Sequence, residues 1–334
     1  MTSRERILHC MAFEGTDRVP RDLWWLPGIE MARATELRAM QHAYPSDFAR
    51  PTPSYGPSKR KQGSPSEIGS YTDEWGCEWS VAEMGVCGEV KNSPLADWAA
   101  LGHFEPPWEI LDQSDFSSVN AFCRSSDRFL RVGTEVRPFE RMQFLRGTEN
   151  LLIDIITQPP ELVELRDRLH AFFLRELELW GKTEVDGVQF MDDWGSQTGL
   201  LIDPALWRSF FKPMYREYCE VIHSSGKRVF FHSDGHIREI IPDLIEIGVD
   251  ALNCQLFCMD IEEIGAQFRG KITFWGEICR QHILPFGTVD DVRAAVRRVR
   301  AALDKGTGGV IAQCEWGNRD PRENIEAVFE TWLE

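Results

Sequence analysis

"RVFFHSDG" (228–235), followed by "IREIIPDLIEIG" (237–248), sets the pattern of this chain. Val229, Phe230 and Phe231 run directly into His232, Ser233 and Asp234, and Gly235 closes the turn before a helically spaced segment. A short continuous apolar run bounded by a turn reads as a strand buried on both faces. An amphipathic helix after it reads as the cover of a parallel sheet. The unit recurs on both sides. "DGVQFMDDWG" (186–195) precedes the helical "PALWRSFFKPMYREYCEVIHSSG" (204–226), and "DALNCQLF" (250–257) precedes "IEEIGAQFRG" (261–270). "ITFWGEI" (272–278) precedes "TVDDVRAAVRRVRAALDKG" (288–306), and "GGVIAQCEW" (308–316) leads into the last helix. This alternation predicts an α/β fold with parallel strands.

Upstream the same pattern is sparser. "VPRDLWW" (19–25) and "RFLRVGTEV" (128–136) are strand candidates, which makes seven, one short of an eightfold barrel. Residues 149–183 read as helix interrupted at Pro159-Pro160, and "DEWGCEWSVAEMGVCGEVKN" (73–92) reads as a hairpin turning near Met84-Gly85. Residues 51–70, rich in Pro, Ser and Gly, read as a loop, either a lid or an insertion without fixed structure. No internal repeat or linker divides residues 1–334, so one domain is expected.

Composition narrows the class. The 334 residues are 43% apolar, enough for a large core. With 53 acids against 37 bases the net charge is −16, a surface that repels phosphate backbones and anionic membranes. The start, "MTSRERILHCMAFEG", reads as a short helix with Thr2 and Glu5 as a capping box. It is not a signal peptide, and no apolar run approaches the ~18 residues of a membrane span. Nine cysteines without a C-x-x-C pair argue against a disulfide framework. The expectation is a soluble, cytoplasmic protein, a homodimer if oligomeric, with a small-molecule substrate.

The five best strands all end in chemistry: Asp192-Asp193, His232-Ser233-Asp234, Asn253-Cys254-Gln255, Gly276-Glu277 and Cys314-Glu315. In a parallel barrel such ends open at one mouth, where active sites are built. Asp193, His232, Asp234 and Glu277 are therefore the catalytic candidates. His232, Asp234 and Cys314 offer the nitrogen, oxygen and sulfur donors of a three-ligand Zn²⁺ site with an open position. Asp192 and Asp193 are adjacent, so only one can face the mouth; the other is expected to cap the loop "WGSQTG" (194–199). Trp24, Trp194 and Trp275, with Gln197 and Gln255, are the candidates for substrate contact, and Cys254 and Cys258 read as core thiols. The chain has no G-x-G-x-x-G and no phosphate loop. Asp234-Gly235-His236 approaches a corrinoid-binding D-x-H-x-x-G signature, but Glu239 stands where glycine is required.

Taken together, "DDWGSQTGLLIDPALWRSFFKPMY" (192–215), "HSDG" (232–235), "IPDLIEIGVDALN" (241–253) and Cys314 followed by Pro321, Glu323 and Asn324 resemble the uroporphyrinogen decarboxylase superfamily. The resemblance implies a distorted (β/α)₈ TIM-type barrel, here with an amino-terminal hairpin insertion. True decarboxylases of that superfamily carry an R-Q-A-G-R segment that receives substrate carboxylates; here the corresponding stretch is "VPRDLWWLPG" (19–28). A decarboxylase would need other arginines at the mouth, with Arg137, Arg238, Arg280 and Arg319 as candidates. The other branch comprises zinc-dependent methyltransferases working with a corrinoid, which bind zinc through H-x-C and a later C seven residues before a proline. His232 and Cys314 match, whereas Asp234 replaces the first cysteine and makes the site harder. The resemblance thus implies methyl transfer between a small substrate and a corrinoid held by a separate partner protein, with decarboxylation of a porphyrinogen-like or other carboxylate as the alternative.

Overall fold

The computed structural model describes residues 1–86 and 88–334. Its strands are β1 (Arg21–Trp25), β2 (Phe48–Ala49), β3 (Gly69–Thr72), β4 (Glu78–Val81), β5 (Glu89–Asn92), β6 (Phe129–Gly133), β7 (Gly187–Met191), β8 (Arg228–Ser233), β9 (Ala251–Cys254), β10 (Thr273–Trp275) and β11 (Val310–Trp316). Eight are parallel, in the order β1-β11-β10-β9-β8-β7-β6-β2, and helices surround them. This is a nearly closed (β/α)₈ barrel. No helix among the described residues is long and apolar enough to cross a membrane.

In the insertion, sequence reading missed β3, whose first residues fall in the expected 51–70 loop; the barrel strand that it missed is β2. Two residues are too few for periodicity to register, and tertiary packing makes the strand instead. Phe48 pairs with Phe129 in register, and its ring meets those of Phe129 and Phe230 edge-on at 5.6 and 5.9 Å inside the barrel. The seam between β1 and β2 has no strand ladder. It is spanned by the Asp47 N–H, which donates to the Arg21 carbonyl (2.9 Å). The Asp47 side chain is fully buried and accepts from Arg6 (2.6 Å), Arg18 (2.8 and 2.9 Å) and the Arg21 N–H (2.8 Å).

The interior is layered. Phe48, Phe129, Phe230, Ala251, Trp275 and Ile311 fill its lower part, and Ile7, Cys10 and Met11 of the helix Ser3–Met11 plug it from below. Above them the inward positions become polar: Asp22, Arg131, Gln189, Asn253 and Gln313. Arg131 is fully buried, bonded to Asp22 (3.1 Å) and Gln189, with its guanidinium 4.1 Å from the Trp275 ring centre.

The amino-terminal insertion is a three-stranded antiparallel sheet, since β3 adds to the expected β4–β5 hairpin. Gly85 at the hairpin tip has φ +73°, and a Cβ there would lie 2.5 Å from the Gly28 nitrogen, so glycine is needed twice over. Residues 51–68 form no helix or strand but are anchored. Ser54 and Asp115 exchange backbone hydrogen bonds (3.0 and 2.7 Å), Gly56 N–H donates to Ile110 (2.9 Å), and the Tyr55 hydroxyl donates to buried Glu176 (2.8 Å).

Two outcomes follow for stability. Asp47→Ala should leave Arg6 and Arg18 without their buried partner and cost about 3–5 kcal/mol, read from denaturant unfolding. Glu176 is pushed up to about 7 by burial and by Glu135, against an ordinary value of 4.5. The folded state therefore holds a proton that the unfolded state releases, so this group's contribution to stability falls as pH rises from about 4.5 to 7. Glu176→Gln should flatten that slope in thermal melts recorded across the same range.

Candidate metal centre

Strand alternation decides which side chains meet. On β8, Phe230 belongs to the barrel interior, so His232 and then Asp234 follow it inward, while Phe231 packs toward the helices. On β7 the inward set runs through Gln189 to Asp193. His232 Nε2 lies 3.6 Å from Asp193 Oδ1 and 3.5 Å from Asp234 Oδ1, and the Asp234 N–H donates to Asp193 Oδ1 (2.9 Å). One ligating atom from each of the three residues lies within 4.8 Å of the others.

Charge around this cluster is heavily compensated. Arg280 grips Asp234 Oδ2, reaches Glu315 at 2.7 Å and stands 3.7 Å from Glu277. Burial pushes Glu277 up to about 8, and Arg280 only partly offsets it. Burial, followed by Asp193, pushes Glu140 up to about 7. For His232, burial opposes the charged form, but Asp234, Asp193 and Glu277 outweigh it and raise its pKa. Asp193 is raised as well, by burial and by Asp234, with His232 acting in the other direction.

The cluster fits a divalent ion. Separations of 3.5 and 3.6 Å are too long for direct hydrogen bonds, yet they match the edge, roughly 3.4 Å, of a tetrahedron with ~2.1 Å bonds. Asp234 Oδ1 is buried, has no hydrogen-bond partner and faces that gap. A cavity of about 210 Å³ adjoins it, with Gln197, Gln255, Phe257, Cys258, Glu277 and Arg280 in its wall.

The sequence candidates divide. Gln197, Gln255 and Glu277 line the cavity, and the Trp24 ring centre stands 5.6 Å from that of His232. Trp275 is fully buried in the barrel floor beneath Trp24 (4.9 Å). Trp194, one residue out of phase with Asp193, is also fully buried. It stacks on Phe139 at 4.1 Å and donates to the Tyr215 hydroxyl (3.0 Å), away from the cavity. Asp192 faces away from the mouth, as expected of one member of the pair, but it does not hold the 194–199 loop. It accepts from Phe139 N–H and Glu140 N–H (2.7 Å each) and from the Tyr215 hydroxyl (2.6 Å), capping the helix Pro138–Arg146.

Cys314 is the expected ligand that does not reach His232. Ile311 belongs to the interior, so Gln313 and Glu315 follow it inward. Cys314 instead lies in the apolar layer between strands and helices, in register with Leu23. Burial lifts its thiol well above the ordinary range. Asp193 takes its place in the cluster. Counting in twos from Ile311 puts Cys314 outside, and counting from Gln189 puts Asp193 inside; the grip of Arg280 comes from a loop, where no periodicity applies.

A parallel barrel with its polar cluster at the carboxy-terminal mouth places the chain among (β/α)₈ barrel proteins. The pattern of the uroporphyrinogen decarboxylase (URO-D) family matches residues 70–333, and the chain belongs to that family. Comparison with curated protein sequences returns no match. Among solved structures, a methyltransferase from Methanosarcina mazei superposes with a TM-score of 0.70 at 15% identity, over 100% of this chain and 98% of that one. A glycosylated endo-beta-1,4-xylanase from Gloeophyllum trabeum superposes at 0.47 with 12% identity, over 97% and 99%. At 15% identity the likeness to the methyltransferase is one of fold.

The geometry predicts a divided mutational response. Cys314→Ser should keep wild-type Zn²⁺ stoichiometry in equilibrium dialysis with elemental analysis, whereas Asp193→Asn should lose most of the bound metal.

Proposed function

We propose that this protein is a metal-assisted methyltransferase that moves a methyl group between a small substrate and a corrinoid carried on a separate protein. The observation that carries this reading is the convergence of Asp193, His232 and Asp234 next to a cavity walled by Gln255, Glu277 and Arg280, with one carboxylate oxygen left without a donor. One imidazole and two carboxylates suit Zn²⁺, and equally the harder divalent ions Mn²⁺ and Fe²⁺. When bound, such an ion supplies a Lewis acid that polarises the heteroatom of a methyl donor or activates a thiol acceptor.

The chain's own groups divide the remaining work. Arg280 orients Asp234 and offsets the surrounding carboxylates. Gln197 and Gln255 offer amides to the substrate, the Trp24 ring packs beside the His232 imidazole, and Glu277, held largely neutral at pH 7, hydrogen-bonds as a carboxylic acid. The cavity volume of about 210 Å³ admits a small molecule, and a corrinoid macrocycle must approach from the rim.

Decarboxylation of a substrate with many carboxylates has less support. Of the four arginines considered for it, Arg280 is held by three acids, Arg238 is paired with Glu263, Arg137 stands 4.0 Å from Glu140, and only Arg319, just past β11, is exposed. Arg21, in the stretch that replaces the decarboxylase segment, is buried near the β1–β2 seam.

The test uses Zn²⁺-loaded protein, free methylcobalamin and small thiols, followed by the visible spectrum of the cobalamin. Metal-dependent demethylation, abolished in His232→Gln, is the expected result. Coproporphyrinogen formed from uroporphyrinogen at a substantial rate, with no methyl transfer to or from cobalamin, would overturn the reading.

A further inference from the structure

His232 can act as an Nε2 ligand only if its single neutral-state proton sits on Nδ1. The two carboxylates facing Nε2, at 3.5 and 3.6 Å, pull in the other direction, since a proton on Nε2 is what they attract. Something must hold the proton on the far nitrogen.

We propose that Asn253 is the positioning residue that fixes His232 as an Nε2 ligand. Its consequence rests on the metal reading above, and its premise on hydrogen-bond chemistry alone. His232 on β8 and Asn253 on β9 are register partners, and both point into the barrel. Asn253 is fully buried, and its amide makes three contacts. The amide nitrogen donates to the Trp275 backbone carbonyl and to Gln313 Oε1 (3.2 Å), while Oδ1 lies 2.5 Å from His232 Nδ1.

The Trp275 carbonyl settles the orientation. A backbone carbonyl only accepts, so the nitrogen of Asn253 must face it; a flipped amide would set oxygen against oxygen. Oδ1 therefore faces Nδ1 as an acceptor, and Nδ1 must carry the hydrogen. The neutral imidazole is left with its lone pair on Nε2, aimed at the gap between Asp193 and Asp234. A main-chain oxygen on β10 thus sets the ligating atom on β8 through one asparagine. Removing the acceptor frees the proton to move to Nε2, where the carboxylates favour it and where it blocks coordination.

Two substitutions separate this role from packing. Asn253→Leu keeps the volume and removes the acceptor. Asn253→Asp keeps an acceptor toward Nδ1, and the second oxygen, kept protonated by burial, donates to the Trp275 carbonyl where the amide nitrogen did. Zn²⁺ affinity, measured by competition with a chromophoric chelator, should fall about 10–100-fold in Asn253→Leu and stay near wild type in Asn253→Asp. The second readout needs no metal. Long-range proton–nitrogen spectra of metal-free, ¹⁵N-histidine-labelled protein, above the imidazole titration, should show Nδ1–H at His232 in wild type and in N253D, and Nε2–H in N253L.

An Nε2–H tautomer in wild type overturns the proposal, as does N253L with both wild-type tautomer and wild-type Zn²⁺ affinity. If N253L does not fold, the wild-type and N253D spectra decide. If wild type binds no Zn²⁺, the metal reading fails, while the spectra still decide the role of Asn253.

Discussion

A parallel strand in a barrel has two sides and no third, and this constraint governs the site. Once Phe230 is inside, His232 is inside and Phe231 is outside; once Ile311 is inside, Cys314 is outside. The same rule sends Asp193 to the mouth and Asp192 to the cap of the helix Pro138–Arg146. Which donors meet is thus fixed by the phase of each strand, and the phase is fixed by the aromatic residues lower in the barrel. Function at the rim depends on packing at the floor.

Between floor and rim the interior must change from apolar to ionic without stranding a charge. Arg131 sits at that boundary, its guanidinium against the Trp275 ring on one side and bonded to Asp22 on the other. Above it, a single guanidinium, Arg280, pairs with the Asp234 and Glu315 carboxylates, and burial favours the neutral forms of two further acids, Glu277 and Glu140. The mouth can therefore gather acids without the repulsion their number suggests, while keeping carboxylate oxygens turned toward His232.

Much of this was legible in the sequence because its determinants are local. Continuous apolar runs marked β6 to β11, and their polar ends marked the mouth. Proline and glycine broke the helices where expected, as at Pro159-Pro160 between the helices Thr148–Thr157 and Pro160–Gly181. Features made by long-range contacts were not legible. β2 exists because Phe48 fills a space between Phe129 and Phe230, and Asp47 acts through Arg6 and Arg18, which lie far from it along the chain. Trp194 and Cys314 were placed at the mouth by proximity along the chain, where phase would have excluded them. The anchoring of residues 51–68 to Glu176 likewise joins segments more than a hundred residues apart.

The central claim is that the metal shell is built from Asp193, His232 and Asp234 and contains no thiolate. X-ray absorption of the Zn²⁺-loaded protein tests it most directly, because sulfur and light-atom shells lie at different distances. The account predicts a nitrogen and oxygen shell at about 2.0–2.2 Å with one imidazole and no sulfur. A sulfur shell near about 2.3 Å would contradict it and return Cys314 to the site.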